Sequence, residues 1–135
     1  MNLTKYWLLF SFFGVFAQAQ TKPTINFQEV VRIETELASD KMQGREIFTP
    51  GIELASAFIE NELKKANLST FQDLKNYRQE FKAEGKSANN VIGMLLGKTK
   101  PDEFVVFSAH YDHLGIETKS SGKDKIYNGA NDDAS

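Results

Sequence analysis

The sequence predicts an α/β fold in which two early helices precede a set of strands. Three observations carry this prediction. Apolar residues recur at helical spacing in two separate stretches before Leu68, short strand-like runs replace that period after it, and polar, glycine-containing segments follow the last apolar run.

The first stretch, Glu29 to Ala38, places Val30, Val31, Ile33 and Leu37 near helical spacing and predicts a first helix. Ser39 to Arg45 breaks the period and reads as a loop. Thr49 then offers a cap, Pro50 suits a first turn, and Ile52, Ala55, Ile59, Leu63 and Ala66 share one face of a second helix running through Asn67. Tyr77, Gln79 and Phe81 alternate with Arg78, Glu80 and Lys82, as in a half-exposed strand. Val91 to Leu96 and Phe104 to Phe107 are apolar on both parities and fit central strands covered on both faces. Gly97 to Glu103, with Pro101, is a compact connection, so a hairpin joining these two strands is the simplest topology.

The 135 residues are 41% hydrophobic, but part of that is concentrated at the amino terminus and overstates the core. Lys5 is followed by the apolar stretch Tyr6 to Ala17 and by Ala17-Gln18-Ala19, a small-x-small cleavage site. This pattern predicts a signal peptide over residues 1–19 and a secreted or periplasmic protein, with membrane contact only during export. The stretch is short for a membrane span. With no cysteine in the chain, stability must come from packing or from metal. A formal net charge of −2 argues against a nucleic-acid partner, which would need a basic stripe. Residues 20–135 contain no repeat or linker and read as part of one domain, expected to be a monomer.

The chemistry begins where the second buried strand is expected to end. His110 stands in Ser108-Ala109-His110-Tyr111-Asp112-His113-Leu114-Gly115, at the edge where open α/β sheets place ligands. On an extended backbone Asp112 returns to the same side and can accept the second ring N–H of His110, while His113 points elsewhere. A His-x-Asp triplet alone is weak and also suits a surface turn. Asp132 lies in Gly129-Ala130-Asn131-Asp132-Asp133-Ala134-Ser135, a segment too small and polar for a core and, on composition alone, readable as a solvated turn or helix cap. Taken together, one imidazole and one carboxylate give a divalent ion both ligand types it prefers. Asp133, like His113, neighbours a proposed ligand without facing the site. Arg45 reads as a structural ion pair, with substrate contact as the alternative. The loop from Glu117 to Asn128 is expected to border the site.

These segments, with Leu37-Ala38-Ser39-Asp40-Lys41-Met42-Gln43-Gly44-Arg45, Thr49-Pro50-Gly51 and Asn89-Asn90-Val91-Ile92-Gly93, resemble the amino-terminal part of metallopeptidase family 28, the secreted di-zinc aminopeptidases. The resemblance implies the front part of a mixed-sheet zinc exopeptidase fold, with peptide or protein amino termini as substrate and two zinc ions as cofactors. It implies that His110 binds one zinc, that Asp112 orients His110, and that Asp132 bridges both zincs. In that family a Glu-Glu pair follows, supplying the general base and a further ligand, and then another acid and a histidine. The sequence to Ser135 holds none of these, so it reads as an incomplete catalytic domain, expected to be inactive alone. The family's frequent protease-associated insertion has no room between Leu68 and Asn90. The resemblance also implies a cis Asp132–Asp133 peptide in a complete enzyme, against a trans or disordered one in a chain ending at Ser135. Two other readings stay open: a non-catalytic product with weak metal binding, and a single-zinc glutaminyl cyclase-like acyl transferase.

Overall fold

The computed structural model describes residues 25–119 and 121–134. The expected signal peptide over residues 1–19 lies outside them. Among the described residues no helix is long and apolar enough to cross a membrane.

Helix α1 spans Phe27–Leu37, two residues earlier than its apolar period suggests, because the Asn26 side chain accepts from the Gln28 backbone N–H at 3.0 Å and caps it. Asp40–Arg45 is not a plain loop but a 3-10 turn with Gln43 and Gly44 in left-handed geometry. Helix α2 spans Pro50–Lys65, with Pro50 in its first turn as expected. Thr49 makes no side-chain cap; its hydroxyl donates back to the Glu46 carbonyl at 2.6 Å. Of the expected apolar face, Ile52 and Ala55 are buried, Ile59 and Leu63 are half-buried, and Ala66 is exposed. Leu37, Met42, Ala55 and Ala134 form the core, with Ile33, Phe58, Ile59 and Tyr111 packed against it.

Charged side chains tie the other elements to α2. Arg32 of α1 forks onto both carboxylate oxygens of Glu62, at 3.2 and 2.5 Å. Arg78 reaches Glu53 at 2.7 Å and Glu60 at 3.1 Å. These cations hold the Glu60 and Glu62 carboxyls below the usual carboxylate range: Lys64 and Arg78 act on the first, Arg32 and Lys65 on the second.

Helices followed by strands are present, but the strand pairing differs from expectation. Strands β1 (Ser69–Thr70), β2 (Arg78–Ala83), β3 (Lys86–Val91) and β4 (Gly93–Met94) form two separate two-stranded ladders, β1–β4 and β2–β3. Both are antiparallel, so among the described residues there is no mixed sheet. The cause is the turn at Glu84 and Gly85, whose φ values of +51° and +76° are those of a two-residue type I′ hairpin connection. It pairs Ala83 with Lys86 and carries the register to Arg78 opposite Val91. The first residue of the expected central strand, Val91, is thereby taken into β3 opposite Arg78 of β2, and Gly93–Met94 turns to pair with Ser69–Thr70.

Leu95 and Leu96 lie beyond both ladders and are exposed. Phe104 to Phe107 forms no ladder among the described residues, and Phe107 is 92% exposed. An apolar run becomes a strand only when a neighbour takes its N–H and C=O groups, and none does here. The strand expected over Tyr77 to Lys82 is present as β2, but its burial does not alternate, since Phe81 is 42% exposed.

Candidate functional site

Three backbone stretches meet at the site. The stretch from His113 to Glu117 lies between the turn at Gly44–Arg45 and the returning segment at Lys125–Tyr127. His113 N–H donates to the Arg45 carbonyl at 3.0 Å and Gly115 N–H to the Gly44 carbonyl at 2.9 Å. On the other side, Glu117 N–H donates to Lys125 and Tyr127 N–H to Gly115, at 2.8 and 2.9 Å. The loop from Glu117 to Asn128 thus borders the site as a short hairpin, whose Ser120 is outside the described residues. Asn128 donates from its side chain to the Ala38 carbonyl and the Asp40 carboxylate, at 2.8 and 2.9 Å. Tyr111 donates its hydroxyl to the Asn89 carbonyl at 2.7 Å, which joins the His110 segment to β3. Burial pushes the Tyr111 phenol up to about 12, so it remains a donor.

Between these stretches the proposed ligands come together. His110 Nε2 lies 3.2 Å from Asp132 Oδ1. On the other side of the ring, His110 Nδ1 faces the Asp112 backbone carbonyl at 3.1 Å and the Asp112 Oδ1 at 3.4 Å. Asp112 therefore returns to the same side as His110, but its main-chain oxygen is the closer acceptor. Both ring nitrogens face acceptors, so a proton at either one is favoured, and the His110 pKa is raised by the Asp112 backbone first and by the carboxylates of Asp112, Asp132 and Asp133 next.

His113 does not point elsewhere as the sequence suggests. Its Nδ1 lies 3.6 Å from Asp132 Oδ2, because the turn at Gly129 brings Asp132 over the ring. A Cβ at Gly129 would stand 2.6 Å from His113 Cδ2, and Gly129 has φ +61°, so both sterics and backbone require glycine here. The sequence signal was the glycine itself, three residues before Asp132. The Asp132–Asp133 peptide is cis, where a trans bond or disorder was expected for a chain of this length.

Arg45, read from the sequence as a structural ion pair, makes none among the described residues. Its side chain is fully buried and donates to backbone carbonyls only. The sequence does not mark these carbonyls as its partners, because four of the five lie 66 or more residues away. Among the described residues no group of three or more His, Cys, Asp or Glu side chains is arranged to hold a metal ion.

Comparison with known proteins adds one finding. Residues 90–135 match the model of Peptidase family M28, a stretch that holds both the His110 and the Asp132 segments. This part of the chain is therefore similar to part of a peptidase family. No curated protein and no solved structure matches the chain.

Proposed function

We propose, from the M28 match over residues 90–135, that the protein is an exported zinc-dependent exopeptidase of the aminopeptidase type, acting on peptide or protein amino termini. The observation that carries this reading is the pairing of His110 Nε2 with Asp132 Oδ1 across 3.2 Å. Two ligands on one tetrahedral zinc, each bound at about 2.0–2.2 Å, stand roughly 3.3 Å apart, so this nitrogen and oxygen fit a shared cation. The donor chemistry fits as well. A bare imidazole nitrogen facing a carboxylate oxygen leaves a place that only a proton or a metal can fill.

His110 and Asp132 would hold zinc, and Asp112 would orient His110. The Asp112 carbonyl and carboxylate accept the Nδ1–H, which fixes the tautomer and leaves the Nε2 lone pair outward. Asp132 would offer its second oxygen, Oδ2, which lies 3.6 Å from His113 Nδ1. Zinc held there would lower the pKa of a water and polarise the scissile carbonyl. The described residues supply two such ligands and no cluster of three, so we propose that the 135-residue chain alone binds zinc weakly and is inactive. Export is read from Lys5, the apolar stretch to Ala17 and the Ala17-Gln18-Ala19 site.

The test is hydrolysis of an aminoacyl anilide, with and without chelator, by the 135-residue chain and by a form carrying further sequence after Ser135. Chelator-sensitive turnover is expected of the longer form only. Turnover by the 135-residue chain would contradict the ligand and base assignment. Cyclisation of amino-terminal glutamine without anilide hydrolysis would contradict the exopeptidase reading.

A further inference from the structure

We infer that Arg45 is a positioning residue that sets the separation of His110 from Asp132 before any metal binds, by gripping the main chain of both ligand-bearing segments. The inference rests on the reading of those two residues as a ligand pair and adds the part that aligns them. Arginine has five N–H donors in a rigid planar fork, and here they meet five carbonyls. Nε donates to Tyr111 at 2.9 Å, Nη1 to Leu37 at 2.5 Å and Asn128 at 2.7 Å, and Nη2 to Gly129 at 2.9 Å and Asp132 at 3.5 Å. Tyr111 adjoins His110, and Asp132 is the second ligand itself. One planar group therefore connects the end of α1, the histidine segment and the aspartate turn.

Two further facts separate this from an ordinary buried arginine. The side chain is 0% exposed, yet among the described residues no carboxylate pairs with it, so its charge is satisfied by main-chain dipoles. Its own backbone is also locked. Gln43, Gly44 and Arg45 follow one another at φ +51°, +69° and +51°, a left-handed run that non-glycine residues adopt only where surrounding structure imposes it. The carbonyls of Gly44 and Arg45 receive the N–H groups of Gly115 and His113, so the same turn also fixes the far end of the histidine segment. A lysine could donate to at most three of the carbonyls from a single point and could not span them.

The test compares zinc binding by calorimetry and thermal unfolding by circular dichroism for the 135-residue chain, Arg45→Lys and Leu37→Ala. Leu37→Ala weakens the core and keeps the carbonyl that Arg45 uses. Zinc affinity is expected to fall tenfold or more in Arg45→Lys and to stay within twofold in Leu37→Ala, measured where each is folded. Arg45→Lys binding like the parent, or Leu37→Ala losing as much, would overturn the inference. Absence of zinc binding by the parent would instead remove the ligand-pair reading. A second measurement needs neither a variant nor zinc: the Arg45 Nε–Hε resonance should exchange slowly with solvent in the metal-free protein. Fast exchange that becomes slow only on zinc addition would show that metal, not Arg45, assembles the site, and would overturn the inference even if Arg45→Lys fails to fold.

Discussion

His110, Asp112, Asp132 and Gly129 carry the site, and each responds differently to substitution. His110→Ala should remove most zinc binding, since it deletes one of the two proposed ligands; near-parent affinity by calorimetry would show that the metal sits elsewhere. Asp112→Asn should be milder. Losing an orienting partner typically costs ten- to a hundredfold in metal affinity, but the closest acceptor of the Nδ1 proton is the Asp112 main-chain oxygen, at 3.1 Å against 3.4 Å for the carboxylate. A loss of about tenfold or less is expected, and a hundredfold loss would mean that the carboxylate dominates. Gly129→Ala would force a Cβ to within 2.6 Å of His113 Cδ2 at φ +61°. Destabilisation by about 1–3 kcal/mol in a urea melt follows from the combined steric and backbone cost. At this scale the sequence was legible where chemistry is written in side chains: His110, Asp112 and Asp132 do converge. It was misleading on Arg45, read as an ion pair, because four of the five carbonyls it meets come from 66 or more residues away, and on His113, because a glycine turn brings Asp132 near it.

Among the elements, both helices were visible in apolar period and capping residues, whereas strand pairing was not. The β2–β3 register follows from Glu84 and Gly85, a dipeptide with a weaker turn signature than Asn-Gly or Asp-Gly. Glu84 holds φ +51°, so Glu84→Asn should stabilise the hairpin by about 0.5 kcal/mol, read as a higher urea midpoint. A lower midpoint would contradict the assigned turn. The links to α2 predict a pH dependence. Glu60 and Glu62 have folded-state pKa values below the ordinary 4.5. Their stabilising contribution is therefore complete above about pH 4.5 and is lost as pH falls through the folded values. The double variant Glu60→Gln, Glu62→Gln should lose less stability than the parent on acidification below that point. Equal acid sensitivity would show that these contacts to Arg32, Lys64, Lys65 and Arg78 contribute little.

For the whole molecule, the largest departure from the sequence reading is the apolar run Phe104 to Phe107. Its composition belongs to a buried central strand, yet Val106 is 81% exposed, and no described strand pairs with it. Hydrophobic pattern reports what a segment can pack against and not whether a partner is present. In this chain Val106→Ala should change stability by less than about 0.5 kcal/mol, while a buried strand valine would cost more. What unites the molecule is instead the convergence of the α1 end, the left-handed turn and the two M28-matching segments around His110 and Asp132. The most direct test of that claim is a double-mutant cycle of zinc affinity on the 135-residue chain with His110→Ala, Asp132→Ala and both together. The expected result is weak binding of no more than one zinc, lost to a similar extent in each single variant, with little further loss in the double. Two tight zincs per chain, or independent and additive losses from the two substitutions, would contradict a shared metal between His110 and Asp132.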